Sequence, residues 1–201
     1  MPISTIGQNG LNAPLSLTSP ALGTPSAIVL TNATGLAKAA LPTGSVLQVV
    51  QAYITSVFST TNNTAFVDIT GLSVSITPTS ASSKILVMAT LTDCSTSSAL
   101  GDGMFQVLRG STAIGNAGSG GTAPVMGYVS TYLAASANIT DAVVFNYLDS
   151  PATTSSTTYK VQCRLWSNSG SGLDGTLYVG RRNGNSSFIS PSSITLMEIA
   201  A

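Results

Sequence analysis

From Ser45 onward the sequence is a chain of short apolar segments, each closed by a cluster of Ser, Thr, Asn, Gly or Pro. The separators TTNNT, TPTSASS, GNAGSGGTAP, DSPATTSS, SNSGSGLDG and RRNGNSS recur so often that no sustained helical period fits between them. The segments are rich in Val, Ile, Thr and Tyr, which suit a pleated, half-buried surface. The expected strands are Val46–Thr55, Ala65–Ile69, Leu72–Thr77, Lys84–Thr92, Met104–Arg109, Val125–Ala134, Ala142–Leu148, Thr158–Trp166, Thr176–Val179 and Ile194–Ile199. Ten strands at this spacing predict an all-β chain, an antiparallel jelly-roll-like β-sandwich.

Two strand patterns say more. In YKVQCRLW, Tyr159, Val161, Cys163 and Leu165 share one face, while Lys160, Gln162, Arg164 and Trp166 share the other. That strand has a core face and a wet face. In KILVMATL, Ile85, Val87, Ala89 and Leu91 face one way, but Leu86 and Met88 make the opposite face apolar too. VVFNYL repeats this, with Val143, Phe145 and Tyr147 set against Val144 and Leu148. A sandwich strand that is apolar on both faces needs a second cover. Identical neighbours packed around an axis, the N-terminal segment, or a long loop folded across the sheet would each supply it.

Residues 1–44 differ in kind. They show no sustained period of 2 or 3.6, and Pro2, Pro14, Pro20, Pro25 and Pro42 block helix interiors and central strands. Extended, such an arm would span about 145 Å at roughly 3.3 Å per residue. The expected division is an arm over 1–44 and a head domain over 45–201. The arm has too little charge to stay solvated alone and too much Pro and Gly to fold on itself, so it is expected to fold against other chains.

Composition supports association. Charged residues are 7% of the chain, against roughly 25% in ordinary globular proteins, and the formal net charge is zero. A surface so weakly charged protects poorly against self-association. Seven basic residues spread over 201 make no footprint for nucleic acid. No apolar run of about 18 residues predicts a membrane span, and MPISTIGQNG lacks the basic and apolar regions of a secretion signal. Cys94 and Cys163 are therefore read as two buried thiols, with a disulfide as the alternative.

The phrases SPALGTP, VLTNATGL and LPTGSVLQVVQ resemble the collar and shaft segments of bacteriophage tail fibres. ITPTSASSKILV, FQVLRGSTAIG, YLDSPATTSSTTYKVQCR, GTLYVGR and SSITLMEIA resemble the end domain of the same fibres. The resemblance runs from about Leu17 to Ala200. It implies a virion protein, on the tail or the capsid surface and made in the host cytoplasm, whose three chains intertwine into a homotrimer. It implies a short tail fibre-type host-attachment protein; a capsid decoration or cement protein is the alternative, since the shaft phrase occurs once. Leu22, Ile28, Val29, Leu30 and Leu36 become the candidate anchors to other virion structural proteins. Leu86, Met88, Val144 and Leu148 become the candidate trimer interface.

The chemistry available is narrow. The chain has no histidine, which removes Ser-His-Asp and Cys-His catalysis and every His metal site. GNAGSGG lacks the Lys-Ser/Thr of a phosphate-binding loop. Asp93 and Asp102 flank a loop that could bracket a glycan or calcium, but their spacing matches no EF-hand, which favours a solvated turn. No paired-carboxylate site can be named. No enzyme activity, cofactor or metal is expected. The candidate receptor-binding residues are Trp166 and Asn168, an aromatic face with a polar neighbour suited to a host cell-surface glycan, and Arg181, Arg182 and Asn183, two cations at a tight turn. The plainer alternatives are a strand-end aromatic at a subunit seam and an exposed, solubilising turn. Glu198 shares a face with Ile194 and Leu196 and, if buried, is expected to need Arg164 or Arg109.

Overall fold

Ile85, Val87, Ala89 and Leu91 are fully buried, and their strand is the spine of one of two sheets. The computed structural model describes residues 41–97, 101–117, 125–130, 140–167, 175–184 and 187–201. All fall in one compact unit, Ala37–Ala201. The strands are β1 (Val46–Ile54), β2 (Phe58–Thr60), β3 (Val67–Ile76), β4 (Lys84–Thr96), β5 (Gly101–Arg109), β6 (Thr112–Ile114), β7 (Gly127–Ser130), β8 (Asp141–Asp149), β9 (Thr157–Ser167), β10 (Leu177–Val179) and β11 (Ser192–Ile199). No helix occurs among the described residues.

Every pairing is antiparallel. The first sheet runs β1-β11-β4-β8, and the second runs β3-β9-β5 with β6 and β7 both on the far edge of β5. With the short β2, β6 and β10 set aside, the eight main strands read first-eighth-third-sixth in one sheet and second-seventh-fourth-fifth in the other. That interleaving of two Greek keys is a jelly roll. The expected fold class is what the chain adopts.

Alternation places the core between the sheets. Ile69, Leu72, Ile76, Phe105, Val107, Tyr159, Val161, Cys163 and Leu165 from the second sheet meet the β4 residues and Ile194 and Leu196 of the first. Each such side chain contributes about 1.5–3 kcal/mol by leaving water. One polar knot crosses this interface. Asp149 of β8 is buried, and it accepts from Tyr159 Oη of β9 at 2.7 Å and from Arg109 Nη1 of β5 at 2.8 Å. Arg109 is thereby committed to Asp149.

Several expectations need correcting. Ala65–Ile69 and Leu72–Thr77 are one strand, β3, whose register against β9 shifts between Asp68 and Ser73. Gly71 sits in that bulge at φ +88°, and a Cβ there would lie 2.5 Å from Ile54 Cγ2, so only glycine fits. β4 runs four residues further than expected. It bulges between Leu91 and Cys94, with Asp93 at φ +44°, and then changes partner from β11 to β10. β2 and β6 have three residues each, too few for alternation to register. The part of the expected Val125–Ala134 strand beyond Ser130 lies outside the described residues.

Glu198 is fully buried, and no cation meets it. Gln48 Nε2 donates to it at 2.6 Å, and Thr79 donates through its backbone N–H at 2.7 Å and its hydroxyl at 2.6 Å. Arg109 is taken by Asp149, and Arg164 points outward from the other sheet. Neutral donors satisfy a buried carboxylate as well as an ion pair does when enough of them converge. Burial acts to raise this carboxyl, but the hydrogen bonds from Thr79 and Gln48 win and hold it below its ordinary value.

Candidate functional site

The two outer faces of the sandwich differ in chemistry. On the first sheet, β1, β11, β4 and β8 align three outward rows: Val49, Met197, Leu86 and Leu148; Gln51, Thr195, Met88 and Asn146; Tyr53, Ser193, Thr90 and Val144. None of these residues is charged. Val49, Leu148 and Val144 are 52%, 53% and 59% exposed, whereas Leu86 and Met88 are half-buried between their neighbours. The four residues singled out from the sequence as an interface thus lie on one face, and Leu86 and Leu148 are direct cross-strand partners.

The second sheet presents a polar and aromatic face. Asp68 of β3, Gln162 of β9 and Gln106 of β5 form one row. Gln106 Nε2 donates to Gln162 Oε1 at 2.7 Å, Gln162 Nε2 donates to Asp68 Oδ1 at 2.7 Å, and Lys160 Nζ donates to Asp68 Oδ2 at 2.9 Å. The Gln162 amide, above all, and the Lys160 ammonium hold the Asp68 carboxyl below its ordinary value. In the next row Arg164 pairs with Met104, which pairs with Tyr128 of β7. The Arg164 guanidinium lies 5.0 Å from the Phe66 ring centre and 4.9 Å from that of Trp166, a cation held between two π faces. Tyr128 is 66% exposed. Asp102, opposite Trp166 in register, keeps one buried carboxylate oxygen without a hydrogen-bond partner.

The candidate receptor-binding residues are not brought together. Trp166 projects from the outer face of the second sheet. Arg181, Arg182 and Asn183 follow β10, which extends the first sheet. Arg181 stacks on Tyr178 at 4.0 Å, and Tyr178 points outward because Leu177 and Val179 on either side are buried. Trp166 and the Arg181 turn therefore occupy opposite faces. Asn168 and the arm residues Leu22, Ile28, Val29, Leu30 and Leu36 lie outside the described residues. Phe66, Gln106 and Tyr128 were missed from the sequence. Gln106 alternates with buried neighbours and Tyr128 precedes the buried Val129, but only strand order shows that they share the outer face with Arg164.

Cys94 and Cys163 are free and buried. Burial pushes both thiols up, Cys163 to about 12, with Cys94 raised further by the neighbouring Cys163. Neither is a thiolate near neutral pH, so neither is an activated nucleophile. Asp93 bonds Ser190 through its carboxylate and carries the Arg181 N–H on its carbonyl, so it braces the β4 bulge. Among the described residues no group of three or more acidic or Cys side chains is placed to hold a metal ion. A cavity of about 210 Å³ opens between Leu41, Leu47, Thr79, Ser83 and Ala200–Ala201. Its lining side chains are aliphatic or hydroxyl, and none of them titrates.

No family model matches the sequence, and no curated protein matches it. Among solved structures, the chain is similar to that of infectious bursal disease virus, Gx strain, with 19% identity and a TM-score of 0.39, covering 78% of this chain and 37% of that one. It is also similar to the infectious bursal disease virus VP2 subviral particle, with 16% identity and a TM-score of 0.33, covering 78% of this chain and 38% of that one. The chain thus spans under two-fifths of these proteins. Likenesses this low have no bearing on what this chain binds.

Proposed function

We propose that this chain is a bacteriophage virion protein, a short tail fibre-type host-attachment protein that assembles as a homotrimer and catalyses no reaction. The observation that carries this reading is the division of labour between the two outer faces. One face offers three rows of side chains without a charge, the chemistry of a surface that associates with its own kind. The other offers hydrogen-bonding and aromatic groups, the chemistry of a surface that meets a ligand. The jelly roll serves viral and lectin domains alike, so fold alone does not choose between them. The tail-fibre phrases of the arm and head point to the virion, and the free polar face points to attachment.

Imaging of particles labelled through this chain, combined with sedimentation of the purified full-length chain, tests the reading. The expected result is label at the tail, a trimeric mass, and purified chain that adsorbs to bacterial cells. Label spread evenly over the shell, with no adsorption to cells, would replace attachment with a capsid decoration role. A stable monomer would sink the assembly.

A further inference from the structure

We propose that the outer face of the second sheet is a saccharide-binding platform that takes a neutral, hydroxyl-rich glycan. The proposal deepens the attachment reading and rests on it. A sugar ring presents two kinds of surface: an apolar C–H face and a rim of hydroxyls, each of which both donates and accepts. Its receptor therefore needs exposed aromatic surface beside planar groups that also do both.

The second sheet supplies these together. A Gln amide carries two N–H donors and two acceptor lone pairs. The ladder from Gln106 through Gln162 to Asp68 uses one N–H of each amide and one lone pair of Gln162. One N–H on each amide, one lone pair on Gln162 and both on Gln106 remain for a ligand. The ladder also fixes the amide planes, because Asp68 is an obligate acceptor and Lys160 holds its other oxygen. Groups locked before binding lose little entropy when they bind. The aromatic surface lies one row away, in the Phe66–Arg164–Trp166 stack and in Tyr128 beyond Met104.

Charge selects the class of sugar. Among the described residues the outward charges of this face are Asp68 and Asp102 against Lys160 and Arg164, two acids and two bases, so the sum is zero. A polyanion such as a phosphate-linked wall polymer finds no net positive field here. A neutral glycan needs none. The first sheet has no comparable ladder: its outer face holds two separate side-chain pairs, Gln51 to Thr195 and Lys84 to Ser150.

The chain has a single tryptophan, Trp166, so its intrinsic emission reports from the platform. The full-length protein would be titrated with glucose, galactose and N-acetylglucosamine oligosaccharides and with a neutral O-antigen polysaccharide; wall teichoic acid is the anionic comparison. We expect a saturable emission change with at least one neutral saccharide. Gln106→Ala and the exposed Tyr128→Ala should each weaken that binding about tenfold or more. Both should melt like the parent, and Lys84→Ala, on the first sheet, should bind like it. No emission change across the neutral panel overturns the proposal, as does a response confined to teichoic acid that added salt removes. Adsorption to cells with a silent Trp166 sinks the platform and spares attachment. Saccharide binding without adsorption does the reverse.

Discussion

At the scale of single residues, the sandwich rests on two buried carboxylates that solve the same problem differently. Asp149, 4% exposed, is met by a cation and a phenol. Tyr159→Phe removes the phenol O–H and leaves a buried acceptor short of a donor. It should destabilise the fold by about 1–3 kcal/mol, read as a lower denaturant midpoint at unchanged slope. Glu198 is met by neutral donors only, and its pH dependence follows from them. Its folded value is depressed below 4.5, so its contribution is complete above that value and is lost as pH falls through the folded one. Asp68 is depressed likewise and acts in the same direction. Glu198→Gln should therefore flatten the loss of stability below pH 4.5 without abolishing it, measured as denaturant midpoints across the acid range. An unchanged acid slope would mean that Glu198 gains nothing from its caps. The burial of Glu198 could be read in the sequence from its shared face with Ile194 and Leu196. Its partners could not, because Gln48 and Thr79 lie 150 and 119 residues away and carry no charge to signal the pairing.

At the scale of elements, alternation located nine of the strands and failed where a strand bends or is too short to alternate. Gly71 reads as a break between two strands because glycine weakens a strand pattern. In the fold it is the bulge that keeps β3 continuous while Asp68 and Ser73 both stay paired with β9. Gly71→Ala should destabilise by roughly 1–2 kcal/mol for the left-handed backbone alone, and by more for the collision with Ile54 Cγ2. If Ile54→Ala, which removes Cγ2, recovers part of the Gly71→Ala loss, the collision contributes; if it recovers none, the effect is backbone conformation. The β4 bulge at Asp93 had no sequence signal, since Asp at positive φ is tolerated where its side chain finds a local partner, here Ser190. The wet face of β9 was legible residue by residue. The site it belongs to was not, because Gln106 and Tyr128 reach it only through strand order.

At the scale of the whole molecule, fourteen charges among 201 residues must be placed where they count. Four balance one another on the outer face of the second sheet, two more hold Arg109 to Asp149 across the core, and none falls in the three outward rows of the first sheet. Three uncharged rows, with exposed Val49 and Leu148 at the two ends of one of them, leave apolar area in water unless a copy of the chain covers them. Covering it requires no change in the fold, because the side chains concerned already point outward. Charge placed there should therefore separate assembly from stability. Val49→Lys and Leu148→Lys sit on strands whose core-facing neighbours Val50 and Asp149 are untouched, so the monomer should melt within about 0.5 kcal/mol of the parent, as surface substitutions do. The same changes put like charges on each copy at a desolvated contact, where charge is strongly disfavoured. Sedimentation of the double variant should shift from trimer towards monomer, while Tyr128→Lys on the opposite face should leave the mass unchanged. If both variants sediment alike, the first sheet does not hold the copies together, and the contact must be sought elsewhere in the chain.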